Sequence, residues 1–134
     1  MTKLEVVEGI GPVYAAQLRA AGIATIEALL QNGATPTGRQ DLEQKSGIGH
    51  ALILEWVNLA DLMRIKGVGE EYSDLLEEAG VDTVKELRNR VPENLYEAIV
   101  KTNEVKSLVR RLPTLDMVRD WVRQAKALPP KVTY

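Results

Sequence analysis

Cysteine and phenylalanine are both absent from the 134 residues, and His50 is the only histidine. Without thiols there is no disulfide framework, no cysteine nucleophile and no cysteine-ligated zinc or iron–sulfur centre. A lone histidine with no ligand cluster around it makes no metal site. Aromatics amount to 4%, so the core must be built from Leu, Ile, Val and Ala, which suits close helix packing better than a sheet sandwich. Met1-Thr2-Lys3-Leu4-Glu5 carries no apolar signal core, and runs such as Ala51 to Leu54 are far too short to span a bilayer. A soluble, cytoplasmic protein without a membrane partner is expected. Also missing are a nucleophile–base–orienter set, paired catalytic carboxylates, a phosphate-gripping P-loop and metal-ligand spacing. Glu70-Glu71 and Glu77-Glu78 are neighbours in sequence, so on a helix they do not face each other. These absences predict a non-enzymatic chain with no cofactor.

What the chain does have is a Gly-apolar-Gly triplet used three times: Gly9-Ile10-Gly11, Gly47-Ile48-Gly49 and Gly67-Val68-Gly69. Each leads straight into a helical pattern. Glycines on either side of one aliphatic residue permit positive φ and close backbone approach. The middle residue is expected in the core, and the amides at the start of the following helix are left free to receive an anion.

Residues 8–29 align with 66–87 at a constant offset of 58. Eight of the 22 positions are identical, among them Gly9/Gly67, Tyr14/Tyr72, Leu18/Leu76, Gly22/Gly80 and Thr25/Thr83, and three more exchange Ile for Val. A repeat of this length reads as a duplicated structural unit. Matching Trp56 to Trp121, an offset of 65, sets Leu112-Pro113-Thr114 opposite Gly47-Ile48-Gly49, a fourth hairpin that has lost its glycines. The fold expected is all-α, with two pseudo-repeated halves sharing the central helix 50–63, which is apolar on nearly every side. The divisions expected are 1–62, 63–128 and a loose tail, 129–134.

Pro12 is placed at a first helical position, and Gly22 and Gly80 end helices. Thr25 opens a short helix through Leu30, broken by the turn formers of 31–36. Thr37 with Gln40, and Thr83 with Glu86, have capping-box spacing, the second opening a helix to about Arg90. Pro92 starts another helix, Asn103 is expected to cap one more, and Thr114 to cap the last, about 115–128.

These residues resemble the helix-hairpin-helix superfamily, and the whole chain resembles the uncharacterised domain-of-unknown-function family 4332. The motif Glu8-Gly9-Ile10-Gly11-Pro12-Val13-Tyr14-Ala15, with Leu18, Ala21-Gly22-Ile23 and Thr25, is similar to that family's opening, and Lys66-Gly67-Val68-Gly69 through Leu87 to its second copy. The resemblance to the superfamily implies paired hairpins whose amides grip DNA phosphates along the minor groove without reading sequence.

Phosphate binding needs bare amides and cations near them. The first hairpin supplies Gly9 and Gly11, but its next residue, Pro12, has no amide to donate. The third is followed by Glu70 and Glu71, whose carboxylates repel phosphate. The second is the best furnished, with Lys45, Ser46, Gly47, Ile48, Gly49 and His50. The fourth adds Arg110, Arg111 and Thr114, and lies in the basic part of the chain. Residues 88–134 carry 10 Lys+Arg against 5 Asp+Glu, a net of +5, whereas residues 1–87 carry 7 against 14, a net of −7. The expectation is weak, sequence-nonspecific binding of a DNA or RNA backbone. The alternative is a scaffold whose hairpins are purely structural and whose helices or opposed charges hold a protein partner or a second copy. On that alternative Tyr14, Tyr72, Trp56 and Trp121 are packing residues, and the Arg/Lys series from Arg88 to Lys126 is a solvated face.

Overall fold

Thr25 and Thr83 stand in extended backbone, φ −138° at each, immediately before a helix. Their hydroxyls accept from the amides three residues on, Ala28 at 3.1 Å and Glu86 at 3.3 Å, so each satisfies an amide that its helix leaves without a partner. Such local rules assemble eight helices in the computed structural model, which describes residues 2–134. A 3-10 turn, Leu4–Val6, precedes α1 (Pro12–Ala20), α2 (Ile26–Gly33), α3 (Pro36–Ser46) and α4 (His50–Leu62). Then come α5 (Glu70–Glu78), α6 (Val84–Leu87), α7 (Pro92–Lys106) and α8 (Leu115–Ala127). Among the described residues there is no strand, only an isolated antiparallel bridge between Lys3 and Thr25. The fold is all-α, as the composition and periodicity predict.

The chain divides into two compact units, Met1–Asp61 with Lys131–Tyr134, and Leu62–Pro130. In the first, Leu4, Ile10, Leu18, Leu29, Ile53 and Trp56 are buried. In the second, Leu62, Leu75, Leu76, Leu87, Leu95 and Trp121 belong to one apolar cluster. Each fully buried side chain of this kind contributes roughly 1.5–3 kcal/mol, which outweighs any single cap. Helix α4 is buried all round from Trp56 to Leu62, as its apolar sequence predicts.

Residues 9–29 and 67–87 take the same backbone geometry. Gly9 and Gly67 have φ +91° and +95°, Gly22 and Gly80 +92° and +100°. Ile23 N–H donates to the Leu18 carbonyl and Val81 N–H to the Leu76 carbonyl, both at 2.9 Å. A Cβ added at Gly9 would lie 3.2 Å from Trp56 Nε1, and one at Gly67 would lie 3.3 Å from Trp121 Nε1. Tyr14 packs edge-on against Trp56 at 5.0 Å between ring centroids, and Tyr72 packs tilted against Trp121 at 5.3 Å. The positive-φ glycine is therefore needed twice over in each unit, once for its dihedral and once for the indole beneath it.

The structure corrects several boundaries. The cap of α3 is Thr35, not Thr37: Thr35 Oγ1 accepts from Gly38 N–H at 3.1 Å, because Pro36 takes the first helical position and fixes the cap one residue earlier. Helix α2 runs on to Gly33, which acts as a packing residue and not a turn former. A Cβ there would meet Val57 Cγ2 at 2.4 Å, so α2 and α4 approach too closely for any side chain. Helix α6 stops at Leu87, short of Arg90. No helix starts at Asn103, which lies inside α7. Its side chain pairs both ways with the Val109 backbone, accepting at 2.9 Å and donating at 3.2 Å. The last residues are no loose tail either, since Val132 is buried and Thr133 N–H donates to the Ala34 carbonyl at 2.8 Å.

Candidate nucleic-acid interface

The second hairpin forms where α3 ends at Ser46 and Gly47 turns left-handed, φ +75°. Its polar groups are largely engaged by the hairpin itself. Gly47 N–H donates to the Glu43 carbonyl at 2.9 Å. Ser46 is buried; its hydroxyl donates to the Leu42 carbonyl at 2.6 Å and accepts from Ile48 N–H at 3.1 Å. Ile48 is the buried plug expected of the middle residue. What faces solvent is Gly49 and the first turn of α4, His50 and Ala51, whose amides have no acceptor within their own helix. The ammonium and the imidazole here both sit beside carboxylates. Lys45 Nζ lies 2.8 Å from Asp41 Oδ2, and His50 Nδ1 lies 3.3 Å from Glu43 Oε2. An approaching phosphate meets those carboxylates as well as the Lys45 ammonium, which weakens its net attraction.

The fourth hairpin spans the stretch between α7 and α8. Ser107 enters it with φ +50°, the one positive-φ residue other than glycine among those described. Asn103 brackets Val109, as above, and Tyr72 Oη donates to the Arg111 carbonyl at 2.9 Å. Pro113, opposite Ile48 in the sequence match, is likewise buried. Thr114 caps α8 as expected, accepting from Met117 N–H at 3.1 Å, so its hydroxyl is engaged by the helix and not offered to a ligand. Arg110 and Arg111 are exposed, and among the described residues neither guanidinium has an ion-pair partner. The cations further along α8 differ: Arg119 pairs with Asp116 and Arg123 with Asp120.

The first hairpin places Gly9 over Trp56 and leaves Gly11 at the N-cap of α1, with open space around it and Pro12 next. At the third, Glu70 and Glu71 are exposed in the first turn of α5, favourable to the helix dipole and unfavourable to an anionic ligand. In the second unit, carboxylate oxygens of Asp74, Glu77 and Glu78 lie within 4.8 Å of one another. Lys106 is hydrogen-bonded to Glu78, a bond that holds its ammonium pKa above the usual value, so the trio already has a counter-ion. The i, i+3, i+4 spacing of Asp74, Glu77 and Glu78 sets the three carboxylates on one face of α5, whereas Lys106, 28 residues from Glu78, joins them only through the tertiary structure.

Comparison with known proteins returns one family, described as Domain of unknown function (DUF4332), over residues 8–128. No curated protein and no solved structure matches.

Proposed function

The chain belongs to the DUF4332 family, and from that footing we propose that it is a non-enzymatic, cytoplasmic double helix-hairpin-helix module, with pseudo-repeated halves sharing α4, that binds nucleic-acid backbone weakly and without sequence readout. The observation that carries the proposal is the pair Arg110 and Arg111, exposed and without carboxylate partners ahead of the first turn of α8. The free amides of Gly49, His50 and Ala51 supply a second, weaker anchor. The shared geometry of residues 9–29 and 67–87 supports the duplicated motif.

Anisotropy titration of labelled duplex DNA at low salt tests this. Binding is expected in the range of about 10⁻⁴–10⁻⁶ M, with the logarithm of affinity falling linearly with that of salt concentration. Arg110→Ala with Arg111→Ala should flatten that slope by roughly 1.8, about 0.9 for each phosphate no longer neutralised. Asp41→Asn with Glu43→Gln should tighten binding by releasing Lys45 and His50. No binding at roughly 100 μM protein defeats the proposal.

A second possibility, a scaffold that holds a protein partner or a second copy, draws on Glu70 and Glu71 and on the carboxylates beside Lys45 and His50. It predicts a concentration-dependent mass in light scattering that is insensitive to Arg110→Ala and Arg111→Ala.

A further inference from the structure

Lys131–Tyr134 has no regular secondary structure, yet Val132, Thr133 and Tyr134 are each held against the first unit. Thr133 is bound through its backbone: its N–H donates to the Ala34 carbonyl at 2.8 Å, and its carbonyl accepts from Arg39 Nη2 at 2.6 Å. Arg39 Nη1 donates to the Gly33 and Ala34 carbonyls at 2.9 and 3.2 Å. The guanidinium thus takes the part that a neighbouring strand's N–H plays when a sheet edge receives an extended peptide. Side chains add selectivity. Val132 is buried, the Tyr134 ring lies 5.8 Å from Arg39 Cζ, and Tyr134 Oη donates to Asn58 Oδ1 at 3.1 Å.

Arg39 is only 2% exposed, and its Nε has no hydrogen-bond partner among the described residues. A buried guanidinium held by carbonyls and one aromatic ring depends on each acceptor it has, and one of those acceptors belongs to the tail. The lead-in is set as well: Pro129-Pro130 favours extended backbone, and Arg64 Nη2 donates to the Pro129 carbonyl at 2.6 Å. Against this, Lys131, Thr133 and Tyr134 are exposed and Val132 alone is buried. The tail therefore has specific bonds but little apolar area, which places it at the low-stability end of the unit.

We propose that Lys131–Tyr134 is a strap, seated in a notch formed by Gly33, Ala34, Arg39 and Asn58, that opens as an element of its own before the rest of the first unit. When open, the notch presents a guanidinium and two carbonyls suited to an extended apolar-Thr-aromatic segment, so its own sequence is what recloses it.

Amide exchange on the full chain, with trypsin cleavage after Lys131 as a second readout, tests the strap. Thr133 N–H should exchange ~tenfold or more slowly than in the free peptide Pro-Lys-Val-Thr-Tyr, and ~tenfold or more rapidly than the Leu29 and Leu42 amides of the same unit. Val132→Asp should bring Thr133 to the free-peptide rate and speed cleavage after Lys131 by about tenfold, with the α5–α8 amides unchanged. Arg39→Lys, which keeps the charge but loses the fork, should do the same to a smaller extent. Free-peptide exchange of Thr133 in the unaltered chain overturns the strap. So does exchange in step with Leu29 and Leu42, which would make the tail part of the core, or cleavage after Lys131 indifferent to Val132→Asp.

Discussion

Residues 9–29 and 67–87 fold alike, while the hairpins that close each unit, Gly47-Ile48-Gly49 and Leu112-Pro113-Thr114, do not share their chemistry. In the first unit a left-handed Gly47 and the Ser46 hydroxyl turn the chain, and the neighbouring Lys45 and His50 are matched by Asp41 and Glu43. In the second, a left-handed Ser107, the Asn103 amide and Tyr72 Oη do the same work around a buried Pro113, and Arg110 and Arg111 are left uncompensated. A turn can be made by several sets of hydrogen bonds, provided every buried amide and carbonyl finds a partner. The interior plug is what both hairpins retain, and the surface around it is free to change. The chemical difference between the two hairpins accordingly lies on their rims.

The comparison is most severely tested at its two largest side chains. Trp56→Ala and Trp121→Ala each remove a buried indole and should each cost about 3–5 kcal/mol in urea unfolding. A difference of more than ~2 kcal/mol between them would mean that the matched geometry hides unequal packing. Next come the glycines that lie over those indoles. Gly9→Ala and Gly67→Ala impose positive φ on a residue with a Cβ and push it against Nε1, and each should cost about 1–3 kcal/mol. A neutral Gly9→Ala beside a damaging Gly67→Ala would break the equivalence.

The smallest expected effect separates the units by pH. In the first, the Arg19 guanidinium holds Glu5 below the usual carboxylate range through its hydrogen bond, and the Thr2 amide does the same for Glu27. In the second, Gln124 and then Arg123 hold Asp120 low, while hydrogen bonding to Glu78 holds Lys106 high. Carboxyls with lowered pKa contribute stability that is present above their unfolded values, near pH 4, and lost as pH falls through the folded ones. Lys106 contributes below its unfolded value, near pH 10.4, and its contribution is lost as pH rises through the raised one. Both units should therefore weaken slightly in acid, and the second should also lose the Lys106 contribution in alkali. Tryptophan fluorescence of Trp121→Phe and Trp56→Phe chains, reporting the first and second units in turn, measures it.

Much of the scaffold was legible because the signals are local. Thr25, Thr83 and Thr114 cap, Gly22 and Gly80 turn left-handed, and Ile10, Ile48 and Val68 plug, each for reasons contained within a few residues. The candidate interface was legible in residue type but not in availability. Lys45, Ser46 and His50 look like a phosphate site in sequence, whereas Ser46 turns inward to Leu42, and Lys45 and His50 lie against Asp41 and Glu43. Gly33 reads as a turn former until Val57, 24 positions on, is seen to fill its Cβ space.

By itself the sequence determined the all-α class, the caps and the glycine turns, since helix ends and positive φ are set by residues adjacent in the chain. Tertiary structure alone decided which polar groups remain free, that Asn103 latches a loop instead of starting a helix, and that residues 131–134 are clipped to Ala34 and Arg39. Those outcomes depend on atoms brought together from up to 99 residues apart, and no local spacing encodes a partner at that distance.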